Sequence, residues 1–281
     1  MRSAYAGERI AMLTQHGKER VLAPVLEPAL GCTIVRVDGF DTDRLGTFTR
    51  EIPRPGSQRD AALRKARLGI ELSVLPVGLA SEGGFGPDPF IGMLPWNVEM
   101  LVLVDERWGI EVTATAQAPG RSAHLRSADW PAVEAFARRE GFPDHALVMR
   151  PHDQDDPRMR KGIATWQALE TAFHACAAAS PERCVFVEHD LRAFANPTRM
   201  ANIGNAAHDL LQRLSSRCPA CGAPGYWVTH RTPGLPCREC GTPTRLPAGE
   251  TLGCLKCSHV EHRPAGDPRG ADPQHCDQCN P

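Results

Sequence analysis

Eight of the chain's eleven cysteines fall into four Cys-x-x-Cys pairs near the C-terminus. A Cys-x-x-Cys turn places two thiolates on one side of a tight knuckle, and two knuckles complete a tetrahedral site for Zn²⁺. The sequence therefore predicts two structural zinc ions. Their ligands would be Cys218, Cys221, Cys237, Cys240, Cys254, Cys257, Cys276 and Cys279.

The grouping of the four pairs is less constrained than their number. Loop length favours a sequential arrangement, in which the first pair joins the second and the third joins the fourth, as in tandem zinc ribbons. An interleaved or nested arrangement stays open. Because the segment 218–281 has few apolar residues, we expect the metal to supply its folding energy.

A second group of polar residues follows the first predicted strand, in the segment LTQHGKE at 13–19. The carboxyl end of a strand that faces a helix N-terminus is a favourable anion site in an α/β sheet. Thr14 and His16 are candidate substrate-binding residues there. Lys18 adds a compact positive charge suited to a phosphate.

The glycine-rich stretch GLASEGGFGPDPF at 78–90 lies between two apolar runs. We interpret it as a turn whose glycines clear the backbone so that a ligand can lie against it, with the Glu82 carboxylate at hand. Asp88 is flanked by prolines, so we expect it to shape the loop.

The segment VEHDLRAFANPTRM at 187–200 follows an apolar strand and leads into the last long helix. Arg192 and Arg199 near the start of that helix predict a clamp for phosphate or carboxylate. Asn196 is a natural N-cap and a second candidate for substrate contact. Lys161, placed just before another predicted helix, is a further candidate substrate-binding residue.

Predicted strands alternate with predicted helices through residue 217, and the runs at 98–105 and 110–117 form a predicted hairpin. This order favours an α/β domain over 1–217, with a mixed central sheet and flanking helices. A small double zinc-ribbon module follows at 218–281.

Composition narrows the function classes. Lys and Arg total 32 against 33 Asp and Glu, so no global basic field recruits nucleic acid. No run of eighteen apolar residues predicts a membrane span, and the N-terminus lacks the apolar segment of a secretory signal. With its knuckle-type cysteines, the chain is expected in the reducing cytoplasm.

The first 120 or so residues resemble the inosine/xanthosine triphosphate pyrophosphatases and the Maf-like nucleotide phosphatases. The resemblance rests on the lysine turn, on Thr47 and Phe48 followed by a helix with Lys65 and Ala66, and on the glycine-rich stretch with its acid. It implies that Lys65 steadies phosphates and that Glu82 binds Mg²⁺ or Mn²⁺. The family's metal-binding helix residue is absent here, where Ala61 and Ala62 stand.

The segment 187–200, together with CPACGAPGYW and GLPCRECGTPT, resembles an uncharacterised bacterial family with a C-terminal zinc ribbon. That resemblance covers most of the chain and implies no activity. The leading hypothesis is metal-assisted hydrolysis of a phosphoanhydride in a nucleotide or related phosphorylated molecule, with Glu82, Lys18, Arg192 and Arg199 as catalytic residues. The alternative is a non-catalytic adaptor whose zinc ribbon binds nucleic acid or a protein.

Overall fold

A computed structural model of the chain describes residues 3–40 and 56–281, which form five helices and three sheets. The mixed α/β class is confirmed. Thr47 and Phe48, which contribute to the resemblance noted above, lie outside the described residues. Among the described residues, no helix has the length and apolar character that crossing a bilayer requires.

The first sheet has the strand order β2-β1-β3-β4-β5, parallel around β1 and antiparallel from β3 onward. Its strands are β1 (Arg9–Leu13), β2 (Thr33–Val37), β3 (Val77–Pro87), β4 (Pro95–Asp105) and β5 (Ile110–Pro119). Helix α2 (Gln58–Ser73) packs on one face. Helices α1 (Glu19–Leu30) and α5 (Pro197–Ser215) share an apolar core on the other face.

A second, antiparallel sheet has the order β6-β9-β7-β8 and its own apolar core. Its elements are β6 (His124–Ser127), α3 (Trp130–Arg139), β7 (Leu147–Pro151), β8 (Arg160–Ile163), α4 (Trp166–Ala179) and β9 (Val185–His189). The strands up to residue 217 thus divide between two sheets, a division that the alternation of strands and helices did not predict.

The prediction that Lys161 stands directly at the start of a helix is wrong, because Lys161 lies within β8. Helix α4 begins only at Trp166, and the Thr165 side chain caps it by accepting a hydrogen bond from the backbone N–H of Ala168 at 3.2 Å. A four-residue strand with one buried residue has too little apolar pattern to stand out in a sequence.

The glycine-rich stretch forms most of strand β3, and the interpretation of it as a turn is wrong. A Cβ at Gly78 would clash with the Ala66 carbonyl oxygen, and one at Gly83 would clash with the Arg199 guanidinium. These two glycines therefore make room for helices α2 and α5. The turn itself comes later: as expected, Asp88 shapes it, its carboxylate accepting hydrogen bonds from four backbone N–H groups within residues 90–94.

The third sheet is a meander of β10 (Trp227–Pro233), β11 (Pro247–Gly253) and β12 (Val260–Pro264). It joins directly to the end of α5, where the Ser216 carbonyl accepts hydrogen bonds from the N–H groups of Gly225 and Tyr226 at 3.0 and 3.2 Å. The Lys256 ammonium lies 4.4 Å from the centre of the Trp108 ring in the hairpin between β4 and β5. The cysteine-rich segment thus packs against the first sheet.

Candidate functional site

The eight paired cysteines form two groups of four at opposite ends of the third sheet. The first group joins the pair at 218 and 221 to the pair at 254 and 257, and the second joins 237 and 240 to 276 and 279. The pairing is therefore interleaved, and the sequential arrangement favoured by loop length is wrong.

The meander explains the interleaving. Successive knuckles stand before β10, between β10 and β11, between β11 and β12, and after β12. Each antiparallel strand carries the chain to the other end of the sheet, so alternate knuckles meet at the same end. Strand direction overrides the entropic preference for short loops.

The sulfur geometry of both groups fits a tetrahedral metal ion. Four thiolates at about 2.3 Å from a zinc ion would stand about 3.8 Å apart. The Sγ atoms of Cys218 and Cys257 are 3.8 Å apart, and those of Cys237 and Cys279 are 3.9 Å apart. Gly222 and Gly241, which follow their knuckles, both have a φ of 73°, the left-handed conformation that glycine adopts easily. The two four-cysteine groups are thus positioned to bind metal ions.

The other candidate residues gather where β1 ends. Strand β1 pairs with β3 only at Ala11–Gly78 and Met12–Leu79, so β3 extends beyond it. Lys18 lies at this place with its side chain buried. Its ammonium donates hydrogen bonds to the Ser81 carbonyl at 2.7 Å and to the Ser81 hydroxyl at 3.3 Å. Lys18 thus contacts β3 at Ser81, the residue that precedes Glu82 in the strand.

Two ion pairs flank β3. Helix α2 supplies Lys65, whose ammonium pairs with the buried Glu82 carboxylate. Helix α5 supplies Arg199, whose Nε donates to Glu99 Oε1 at 2.6 Å. Adjacent residues of a strand point to opposite faces, and Glu99 is the cross-strand partner of Gly83, so the two pairs lie on opposite faces of the sheet. Lys18 is the cation between them.

Sequence reasoning missed the role of Glu99. Its side chain is fully buried and also accepts a hydrogen bond from Asn97 Nδ2 at 3.0 Å. Asn202 on α5 continues the network by donating to Asn97 Oδ1 at 2.8 Å. The signal was present in VEMLVLVD, where a carboxylate sits within an apolar strand and therefore needs a buried partner.

Burial and neighbouring charges change the protonation of two residues in this cluster. Burial and the Arg199 charge lower the pKa of Lys18 from 10.5 to about 7, against the opposing pull of Glu82 and Glu99. Burial and the charge of Lys18 lower the pKa of His16 to about 3. Near neutral pH the cluster therefore holds a partly neutral lysine and a neutral imidazole.

Arg192 lies at the rim of this cluster. Its guanidinium binds the fully buried Asp190 carboxylate, with Nε to Oδ1 at 2.9 Å, and its charge contributes to the low pKa of His16. The same guanidinium lies 4.7 Å from the centre of the Phe194 ring, and His16 meets that ring edge-on at 5.4 Å. Arg192 thus links the cluster to an aromatic side chain.

The remaining predicted residues have local roles. The Thr14 hydroxyl accepts from the His16 N–H at 3.3 Å and shapes the lysine turn. Asn196 caps α5, as expected, by accepting from the Arg199 N–H at 3.0 Å. Lys161 lies in the second sheet beside Gly162, whose N–H donates to Asp190 at 3.1 Å. The structure thus brings together Lys18, His16, Lys65, Glu82, Arg192 and Arg199.

Residues 65–281 match the model of the family DUF6671, a domain of unknown function. The chain belongs to this family. Both four-cysteine groups and most of the cluster lie within the DUF6671 region, whereas His16 and Lys18 precede it. The expectation of an uncharacterised family is confirmed. No curated protein matches the chain, and the resemblance to nucleotide pyrophosphatases stays a prediction.

Proposed function

We propose that the chain hydrolyses a phosphoanhydride in a nucleotide-like substrate with the help of Mg²⁺ or Mn²⁺. The observation that carries this proposal is that Lys18, beyond the end of β1, lies within electrostatic reach of both ion pairs, Lys65 with Glu82 and Arg199 with Glu99. Such a mixed cluster supplies positive charge for a phosphate chain and carboxylates for a metal ion.

Lys18 is the best phosphate ligand of the cluster. Within residues 3–40 and 56–281, its hydrogen bonds go to Ser81 alone and it has no carboxylate partner, whereas Lys65 and Arg199 each hold one. A buried ammonium without a counter-ion is unfavourable, and an incoming anion removes that cost. A phosphate bound at Lys18 is therefore stabilised in two ways. It is attracted by the ammonium charge, and it offsets the cost of burying that charge.

The carboxylates suit a divalent cation. Glu82 and Glu99 are both buried, and Glu99 Oε2 has no hydrogen-bond partner among the described residues. Hard cations such as Mg²⁺ prefer carboxylate oxygens and substrate phosphates as ligands. We assign Glu82 as the metal-holding carboxylate, where the metal would polarise a phosphoryl oxygen. Lys65, now bound to Glu82, would then be free to contact a phosphate.

The arginines act on the charge that develops during hydrolysis. Arg199 is held rigidly by Glu99 and by the Leu191 carbonyl, which its Nη1 reaches at 2.5 Å. Arg192 is held by Asp190. Fixed guanidinium groups stabilise a transition state without having to reorganise, which is the usual source of catalysis in phosphoryl transfer.

The variant Glu82→Gln tests the catalytic proposal. We expect the wild type to cleave nucleoside triphosphates with Mg²⁺ or Mn²⁺, and the variant to lose at least about 100-fold in kcat, because an amide is a poor ligand for a hard cation. Steady-state release of phosphate or pyrophosphate measures both. Glu111→Gln is the matched control, since that carboxylate pairs with Arg59 and Arg67 away from the cluster. No turnover by the wild type, or equal turnover in Glu82→Gln, contradicts the proposal.

We propose zinc for both four-cysteine groups, because four thiolates in a tetrahedron are its usual structural ligands. A reducing cytoplasm would keep those thiols unoxidised. The adaptor alternative gains little from the structure, since arginines of the cysteine-rich segment pair with nearby acids. These pairs are Arg231 and Arg263 with Glu250, Arg238 with Asp272, Arg245 with Asp277, and Arg269 with Asp267. A largely neutralised surface offers a weak field for nucleic acid.

A further inference from the structure

Phe194 is an exposed aromatic side chain beside the cationic cluster. It sits in a short 3-10 turn at Ala193–Ala195, between the end of β9 and the start of α5. Both flanking alanines are buried, whereas 54% of Phe194 is exposed. The turn is therefore anchored through the alanines and holds the ring out toward solvent in a fixed place.

Two residues of the cluster fix the orientation of this ring. The Arg192 guanidinium lies 4.7 Å from the ring centre, a cation–π contact, and the His16 ring meets it edge-on at 5.4 Å with an interplanar angle of 64°. Single exposed apolar side chains are common on protein surfaces and need no explanation by themselves. Phe194 differs in that, among the residues the structure describes, both of its ring contacts are with residues of this cluster.

We propose that Phe194 is the surface on which the base of the bound nucleotide stacks. This inference rests on the proposed function, which places the phosphate chain at Lys18, Lys65 and Arg199. A nucleotide joins an aromatic base to that chain through a sugar, so its base must lie at the rim of the cluster. Phe194 offers a base the flat apolar surface it needs there, and stacking tolerates any base because each has a π face.

Stacking has a measurable signature in selectivity. Contact area decides the strength of stacking, so purine nucleotides bind more tightly than pyrimidine nucleotides, and both bind more tightly than inorganic tripolyphosphate, which has a similar charge near neutral pH but no base. Loss of the ring removes these differences and leaves the contacts to phosphate intact. Phe194 is therefore a specificity residue, and it takes no part in the chemical step.

The test is calorimetric titration of the full chain with ATP, CTP and tripolyphosphate, with Ca²⁺ replacing Mg²⁺ to slow hydrolysis. We expect Phe194→Ala to weaken ATP binding by roughly 5- to 150-fold, the range for loss of one base–aromatic stack, and to change tripolyphosphate binding by less than about twofold. Phe194→Trp should keep the selectivity. Phe90→Ala is the matched control, because Phe90 is also exposed but lies in the β3–β4 turn.

The outcomes separate this inference from the proposed function. Equal affinity of the wild type for ATP and tripolyphosphate, or unchanged ATP binding in Phe194→Ala, overturns the stacking role while phosphate binding stands. The stacking role is also overturned if Phe194→Ala weakens the binding of ATP and of tripolyphosphate equally, because the ring would then affect the phosphate site. If none of the three ligands binds to the wild type, the proposed function fails and the inference fails with it.

Discussion

Replacing Cys218 and Cys254 together by serine is expected to unfold the C-terminal meander and to lower the thermal stability of the whole chain. Both residues belong to the four-cysteine group nearest to helix α5, whose Sγ atoms lie at metal-binding distances. The zinc ion proposed for this group would contribute an apparent binding free energy of about 10–16 kcal/mol, the range for structural zinc in zinc-finger peptides. Within the described part of the chain, the buried cluster around Cys218 adds just Tyr226 and Leu252, with Val228 partly buried against them, so packing alone does not replace the metal.

The effect should reach the first sheet, because the chain around this group packs there. Gly225 lies so close to Val112 that a Cβ would come within 3.0 Å of its Cγ2, and Lys256 covers Trp108. The matched double variant Cys237→Ser and Cys276→Ser removes the distal group and should disturb the first sheet less. For both variants we would measure the bound metal, the midpoint of thermal unfolding and the sites of limited proteolysis. A wild type with no bound metal, or a Cys218/Cys254 variant with unchanged stability, contradicts this account.

Replacing Arg199 by methionine is expected to cost about 3–5 kcal/mol of unfolding free energy, the usual result of removing one partner of a buried ion pair. Arg199 is 1% exposed and Glu99 is fully buried, so the variant leaves a carboxylate without its counter-ion. Chemical denaturation at pH 7 measures the loss. The same variant should lose binding of tripolyphosphate, because one of the converging cations is gone.

A second substitution separates the structural role of Arg199 from its role in binding. In the double variant Arg199→Met and Glu99→Gln, both charges of the pair are removed together, so most of the lost stability should return. Binding of tripolyphosphate should not return, since the guanidinium is still absent. If the double variant is no more stable than Arg199→Met, the ion pair is not the cause of the loss. If either variant binds tripolyphosphate as tightly as the wild type, Arg199 does not contribute to anion binding.

Local signals in the sequence predicted the helices and most strands well. Ser57 and Asp60 form the capping box at the start of α2, and Asp129 caps α3 by accepting from the N–H three residues later. The hairpin of β4 and β5 follows from two β-rich runs around a four-residue turn. These features depend on residues a few positions apart, and for that reason a single sequence reveals them.

Long-range contacts explain what the sequence did not show. The glycines of β3 are there because α2 and α5 pack against the strand, and neither contact is visible in the stretch itself. The interleaved cysteine groups follow from strand direction in the meander. Glu99 and Arg199 are 100 residues apart in sequence, and their pairing depends on how α5 packs on the sheet. The residue types in the sequence thus indicated which side chains could bind an anion or a metal ion. Which of these side chains lie next to each other depended on the fold.

The central claim is that an anion binds at Lys18, and proton uptake tests it directly. In the empty protein the pKa of Lys18 is about 7, so at pH 8 its amine is mostly neutral. A bound phosphate chain favours the charged form and raises that pKa, so binding draws a proton from the buffer, and affinity falls as the pH rises through this range.

The measurement is calorimetric titration of tripolyphosphate at pH 8 in two buffers of different ionisation enthalpy, for the wild type and for Lys18→Arg. An arginine at this position is already charged, so its complex takes up no proton there. The account predicts that the wild type takes up close to one proton more per bound anion than Lys18→Arg does. Equal proton uptake by the two proteins, or no binding by the wild type, would contradict it.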